Sequence, residues 1–204
     1  EWWVNGKHHR DGDRPAVEWA NGDREWWVNG KHHRDGGLPA IEWADGSGLW
    51  YVNGKHHRDG GLPAIEWADG HKAWYVNGKL HRDGGLPAII AWHPTNGEIN
   101  KCWLVNDELH RCDENGNNDE LPAMELCNGV KMYYINGKKH RSNGLPAVEY
   151  GENGREWWEN GIVQYIQGAS ETKYMAKDRR SLVNGLYDDE KIQVTMFLTD
   201  EWWL

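Results

Sequence analysis

Glu25-Trp26-Trp27-Val28-Asn29-Gly30-Lys31-His32-His33-Arg34-Asp35-Gly36-Gly37-Leu38-Pro39-Ala40-Ile41-Glu42-Trp43-Ala44-Asp45-Gly46 is the stretch whose reading decides the fold. Asn29-Gly30, set after an aromatic strand, signals a type I′ turn, because both central residues of that turn must take positive φ. A two-residue loop fixes cross-strand pairing. Val28 then faces Lys31, Trp27 faces His32, Trp26 faces His33 and Glu25 faces Arg34. The return strand runs from Lys31 to Arg34, bends at Asp35-Gly36-Gly37-Leu38-Pro39 and continues as Ala40 to Ala44. Pro39 has no N–H to give a central ladder, and the glycines before it supply the bend. Asp45-Gly46 is a second turn, and two turns at opposite edges predict an antiparallel meander.

The stretch recurs. Trp2 to Arg10 returns as Trp26 to Arg34, Trp50 to Arg58 and Trp74 to Arg82, a step of 24 residues each time. Further copies start at Trp103 and Tyr133, after steps of 29 and 30. A Pro-Ala pair follows each arginine, at Pro15, Pro39, Pro63, Pro87, Pro122 and Pro146. The longer steps come from polar, turn-rich insertions at His93 to Gly97 and Asp113 to Asp119, which read as loops. Asn160-Gly161 opens a seventh copy that then dissolves.

Composition agrees with a repeat array. With 15 Trp, one Phe and 25 Gly among 204 residues, apolar surface comes as flat rings between turns. Such chains pack neighbour against neighbour instead of around one deep centre. The formal charge of -9, from 32 acidic and 23 basic residues, argues against nucleic-acid phosphates and anionic membrane surfaces as partners. No apolar run approaches the roughly 18 residues of a membrane span. Glu1 opens mid-repeat without an initiator Met, so a preceding segment is expected. The odd set Cys102, Cys112 and Cys127 gives no disulfide framework, which points to a reducing, cytoplasmic or virion-associated setting over a secreted one.

An aromatic strand, then Asn-Gly-Lys-x-His, a glycine bend, a second strand and an Asp-Gly turn resembles the MORN repeat. The His-Arg and Pro-Ala elements are similar to its variant form. The resemblance covers residues 1 to about 161; it departs at the bend, where Asp-Gly-Gly-Leu-Pro-Ala replaces Gly-x-Gly. It implies an all-β, elongated antiparallel hairpin repeat with a single-layer, solenoid-like sheet, used for protein–protein contact or self-association. The variant form looks like repeats in proteins of large DNA viruses, phages and some bacteria, which implies a viral or phage component.

Several side chains invite functional readings. Alternation puts His9, His33, His57, His81, His110 and His140 on one face with the first aromatic of each repeat. That face hardly changes, so it is expected to pack between repeats, with the histidines forming a structural ladder near the repeated glutamates and the arginines paired with the same glutamates. Repetition argues against catalysis, which needs one unlike constellation. The opposite face varies and carries Trp3, Trp27, Tyr51, Tyr75, Tyr134 and Trp158, an exposed aromatic stripe. It can cover the outer sheet, anchor a protein partner or stack sugar rings; carbohydrate binding is thus the alternative function. Cys102, His110, Cys112 and Cys127 are a Cys3His set of zinc type, but without a Cys-x-x-Cys knuckle they read as free buried thiols, and no metal or cofactor is assigned.

From Ile162 the pattern breaks. Ser170 to Val183 reads as a helix capped by Ser170, and Ile192 to Leu198 reads as a strand. The predicted organisation is repeats over 1–161 and a small mixed α/β capping segment over 162–204.

Overall fold

The computed structural model of the chain describes residues 1–92, 99–112 and 121–168, with the backbone of 173–175. The expected loops at His93 to Gly97 and Asp113 to Asp119 lie outside the described residues. The fold is all-β and built from antiparallel hairpins that do not close into a barrel. The chain divides into two compact units, Glu1–Glu108 and Leu109–Leu204.

In the first unit, Val17–Glu18, Arg24–Glu25, Ile41–Glu42, Gly48–Leu49, Ile65–Glu66, Lys72–Ala73, Ile89–Trp92 and Ile99–Cys102 pair in sequence order. Each repeat also carries a short ribbon at its Asn-Gly corner: Trp3–Val4 with Lys7–His8, Trp27–Val28 with Lys31–His32, Tyr51–Val52 with Lys55–His56 and Tyr75–Val76 with Lys79–Leu80. Asn29 and Gly30 have φ of 52° and 77°, as the turn type demands, and the same pair recurs at Asn53-Gly54 and Asn77-Gly78, while Asn106-Asp107 takes the same positive φ with aspartate in place of glycine. The ribbon register is Trp27 opposite His32 and Val28 opposite Lys31, as the two-residue loop dictates.

The aromatic strand is not continuous. Arg24–Glu25 belongs to the main sheet, where Glu25 lies opposite Val17 and Ile41, so the expected Glu25–Arg34 pairing does not form. Pro39 and the glycine bend draw residues 34–39 out of the ladder, so the strand changes partner at Trp26. The Trp26 N–H donates to the Ala40 carbonyl at 2.7 Å, and the Trp26 carbonyl accepts from the His33 N–H at 3.1 Å. The core follows these crossing points. Ala16, Ala40, Ala64 and Ala88 are fully buried, and Trp26, Trp50, Trp74, Leu49, Ile65 and Ile89 are nearly so.

Ribbons of successive repeats stack. The Gly30, Gly54 and Gly78 amides donate to the carbonyls of His8, His32 and His56, each at 2.9 Å. A Cβ on Gly30 would meet the Lys7 stem at 3.3 Å, and Gly54 and Gly78 sit on Lys31 and Lys55 in the same way. The Asn-Gly corners of this unit therefore line up along one edge.

In the second unit Met124–Glu125, Lys131–Met132, Val148–Glu149, Gly154–Glu159, Ile162–Gly168 and Lys173–Met175 follow in order. The seventh copy does not dissolve. Gly154–Glu159 and Ile162–Gly168 form the longest described hairpin, with a register shift between Trp157 and Trp158. No proline or glycine pair interrupts its return strand, so pairing runs on. Lys173–Met175 then adds to that edge, opposite Tyr165–Gln167, where a helix over Ser170 to Val183 was expected. An open strand offers a row of backbone donors and acceptors, and satisfying them outweighs local helix signals. The rest of that expected helix and the strand expected over Ile192 to Leu198 lie outside the described residues.

Candidate functional site: an aromatic and histidine column

The second aromatics of the first four ribbons and the cross-strand histidines of the first three build a continuous stack, which ends at Tyr75 opposite Leu80. Ring centroids lie 3.7 Å apart for Trp3–His8, 5.2 Å for His8–Trp27, 3.6 Å for Trp27–His32, 5.1 Å for His32–Tyr51, 4.0 Å for Tyr51–His56 and 4.9 Å for His56–Tyr75. Trp3 is exposed, at 55%. Trp27, Tyr51, Tyr75, Tyr134 and Trp158 are half-buried, not the fully exposed stripe expected. Both sides of Trp27 and of Tyr51 carry an imidazole. The variable face thus packs between repeats as well, and the histidines His8, His32 and His56, each opposite a stripe aromatic as the two-residue loop predicts, are half of it. In the second unit Lys139 stands in place of a histidine, with its ammonium 4.8 Å from the Trp158 ring centre.

Glutamates anchor the tryptophans of this column. Glu25 accepts from the indole N–H groups of Trp27 (2.8 Å) and Trp19 (2.7 Å) and contacts His32 Nε2 at 3.0 Å. The His32 hydrogen bond lowers its carboxyl most, burial opposes that, and the two indole donors lower it further, to a pKa of about 2. Glu1 accepts from Trp3 at 3.2 Å and Glu156 from Trp158 at 2.6 Å. The sequence held a signal for this: Glu precedes the second aromatic by two positions where that ring is Trp3, Trp27 or Trp158, and Leu49, Ala73 and Met132 stand there before Tyr51, Tyr75 and Tyr134.

The other face is a set of clips. The Nδ1 atoms of His9, His33, His57 and His81 accept from the backbone N–H of Asn29, Asn53, Asn77 and Asn106 at 3.0 to 3.3 Å. His110 and His140 repeat the bond with Asn136 and Asn160 in the second unit. Nε2 of His9, His33, His57 and His81 faces Asp11, Asp35, Asp59 and Asp83 at 2.9 to 3.1 Å. The ladder therefore leans on aspartates of the bend and not on the repeated glutamates, which belong to the arginines. Arg34 Nη1 donates to Glu42 at 2.6 Å, Arg111 Nη1 to Glu125 at 3.0 Å and Arg141 Nη1 to Glu149 at 2.9 Å. Arg10, Arg34, Arg58 and Arg82 lie 3.4 to 3.8 Å over Trp2, Trp26, Trp50 and Trp74, and Arg141 lies 3.7 Å over Tyr133.

No family model matches this chain, and no curated protein shows significant similarity to it.

The sulfurs do not assemble. Cys102 is buried, and burial pushes its thiol up to about 12, far from the thiolate that zinc needs. Cys112 and Cys127 are half-buried, and His110 Nδ1 is taken by Asn136. Among the described residues no three His, Cys, Asp or Glu side chains come together as a metal set. No helix among them is long and apolar enough to cross a membrane.

Proposed function

We propose that the protein is a non-enzymatic structural or adaptor repeat protein of MORN-like type, presenting its repeats to a protein partner or to further copies of itself. The observation that carries this reading is repetition of one contact set. Histidine on the next asparagine recurs in six repeats and arginine on aromatic in five, so among the described residues these acid–base side chains are spent on holding repeats together. The viral or phage setting rests on the resemblance of the variant repeats. The net charge of -9 supports protein over nucleic acid or anionic membrane as the partner.

The carbohydrate alternative is weaker on geometric grounds. Sugar rings stack on an open aromatic face, whereas Trp27 and Tyr51 are sandwiched between imidazoles. Sedimentation velocity over a concentration series and glycan arrays test the two together. We expect concentration-dependent self-association or cross-linked protein partners, and no glycan signal. A glycan signal abolished by Tyr51→Ala and Tyr75→Ala would reverse the assignment.

A further inference from the structure

Arg82 is the odd member of the stacked arginines. Like the others it lies over the first aromatic ring of its repeat, 3.7 Å from the Trp74 ring centre, and donates to its proline carbonyl, Pro87, at 3.1 Å. The others also meet acid. Arg34 holds Asp13 at 2.7 and 3.3 Å and Glu42 at 2.6 Å. Arg10 reaches Glu18 at 3.8 Å, Arg58 reaches Glu66 at 3.5 Å, Arg111 reaches Glu125 at 3.0 Å and Arg141 reaches Glu149 at 2.9 Å. For Arg82 both supplying positions are empty of charge: Ile90 stands where Glu18, Glu42 and Glu66 stand, and Gly61 stands where Asp13 does. Among the described residues it pairs with no carboxylate, and burial lowers its pKa from the usual arginine value with nothing to offset it.

The sheet register adds to the deficit. Ile90 lies between Lys72 on one side and Lys101 on the other. Lys72 faces Glu66 across its other edge, but that glutamate is shared with Arg58. Asp83, next in the chain, is engaged by His81 at 2.9 Å. A face that elsewhere alternates acid and base, as in Glu18–Arg24–Glu42, here sets a lysine on each side of an isoleucine, at the position where the other repeats hold the glutamate of their arginine. In a chain of net charge -9 this is a local reversal of sign.

We propose that Arg82, Lys72, Lys101 and Ile90 form the docking site for an acidic segment of a partner protein, one whose carboxylate takes the place of the missing glutamate while a neighbouring apolar side chain covers Ile90. The planar guanidinium presents a fork matched to a carboxylate. Trp74 beneath it has already fixed its orientation, so little side-chain freedom is lost on binding. Half-burial strengthens the pair relative to a fully wet one. The site rests on the protein-contact reading above and gives it a place and a sign.

The test is fluorescence anisotropy of a labelled, alternating Glu-Ile peptide on the full chain at low salt, with the matching Lys-Ile peptide as control. We expect saturable binding of the acidic peptide only, weakened about tenfold or more by Arg82→Gln. Ile90→Glu restores the glutamate in cis; it is expected to abolish binding while leaving the melting temperature equal or higher, which separates lost recognition from lost folding. Binding that is indifferent to both substitutions would overturn the site, as would tighter binding of a single-stranded oligonucleotide than of the peptide. Absence of peptide binding in a chain that still self-associates overturns this site alone and leaves the assembly function standing.

Discussion

Trp26 and Trp50 hold the same place in successive repeats, yet only one completes its hydrogen bonds. The Trp50 indole donates to the Gly37 carbonyl at 2.8 Å, and Trp74 and Trp103 do the same with Gly61 and Gly85. The Trp26 indole N–H is buried without a partner, in the one repeat of this unit where Asp13 stands at the position of Gly37. Trp50→Phe leaves the Gly37 carbonyl unpaired, whereas Trp26→Phe removes a donor that was already costing stability. Denaturant unfolding is therefore expected to show Trp50→Phe as the more damaging by about 1 kcal/mol. Glu25 gives a pH prediction. Its folded carboxyl titrates at about 2 against an ordinary 4.5, so the group binds protons more weakly in the native state. That stabilisation is complete above pH 4.5 and fades as the pH falls toward 2. Glu25→Gln should flatten the loss of thermal stability across this window by on the order of 2 kcal/mol, after allowance for partial solvent exposure. Parallel acid melts of the two proteins would contradict it.

At the scale of the element, what could be read in advance divides along a physical line. The Asn-Gly corners and the Trp27–His32 register follow from chain-local rules, since a two-residue loop leaves no freedom in the pairs beside it. The split of the strand at Trp26 was not legible, because the partners of Arg24–Glu25 lie in neighbouring strands and no local signal ranks them above Arg34. The same holds for His33: the Pro39 bend carries Glu42 over to Arg34 and leaves Asp35 as the nearer acid. Lys173–Met175 likewise answers to the open edge of Ile162–Gly168 and not to its own helix signals. The histidine clip is the element that a register argument alone could not supply, and it can be tested singly. His57→Ala removes the acceptor of the Asn77 amide, a bond of 3.1 Å, and should speed exchange of that amide about fivefold. The Asn53 amide, held by His33, should keep its protection. Equal acceleration at both would mean that the histidine supports the unit as a whole and not one junction.

Within the first unit, modularity is the property from which the rest follows, and it predicts how the chain tolerates excision. Each repeat meets its neighbours through the same bonds, histidine to asparagine amide and corner glycine to ribbon carbonyl, with tryptophan to glycine carbonyl added from Trp50 onward. Removing Ile41 to Ala64 takes out one full period of 24 residues and joins Ala40 to Ile65, which occupies the place of Ile41. Every surviving contact then finds an equivalent partner, with the Trp74 ribbon landing on that of Trp26. The shortened chain should fold with native-like far-ultraviolet circular dichroism and melt about 5–10 °C lower, because one repeat and one interface are lost from a nearest-neighbour sum. Removing Ile41 to Val52 instead leaves Asn53-Gly54 without its aromatic strand and puts the remaining strands out of phase, so inward-facing residues lose their partners. That variant should be insoluble or unfolded. A compact domain with a single shared centre would respond in the opposite sense, tolerating the smaller cut better than the larger, so the order of the two melting curves decides between the architectures.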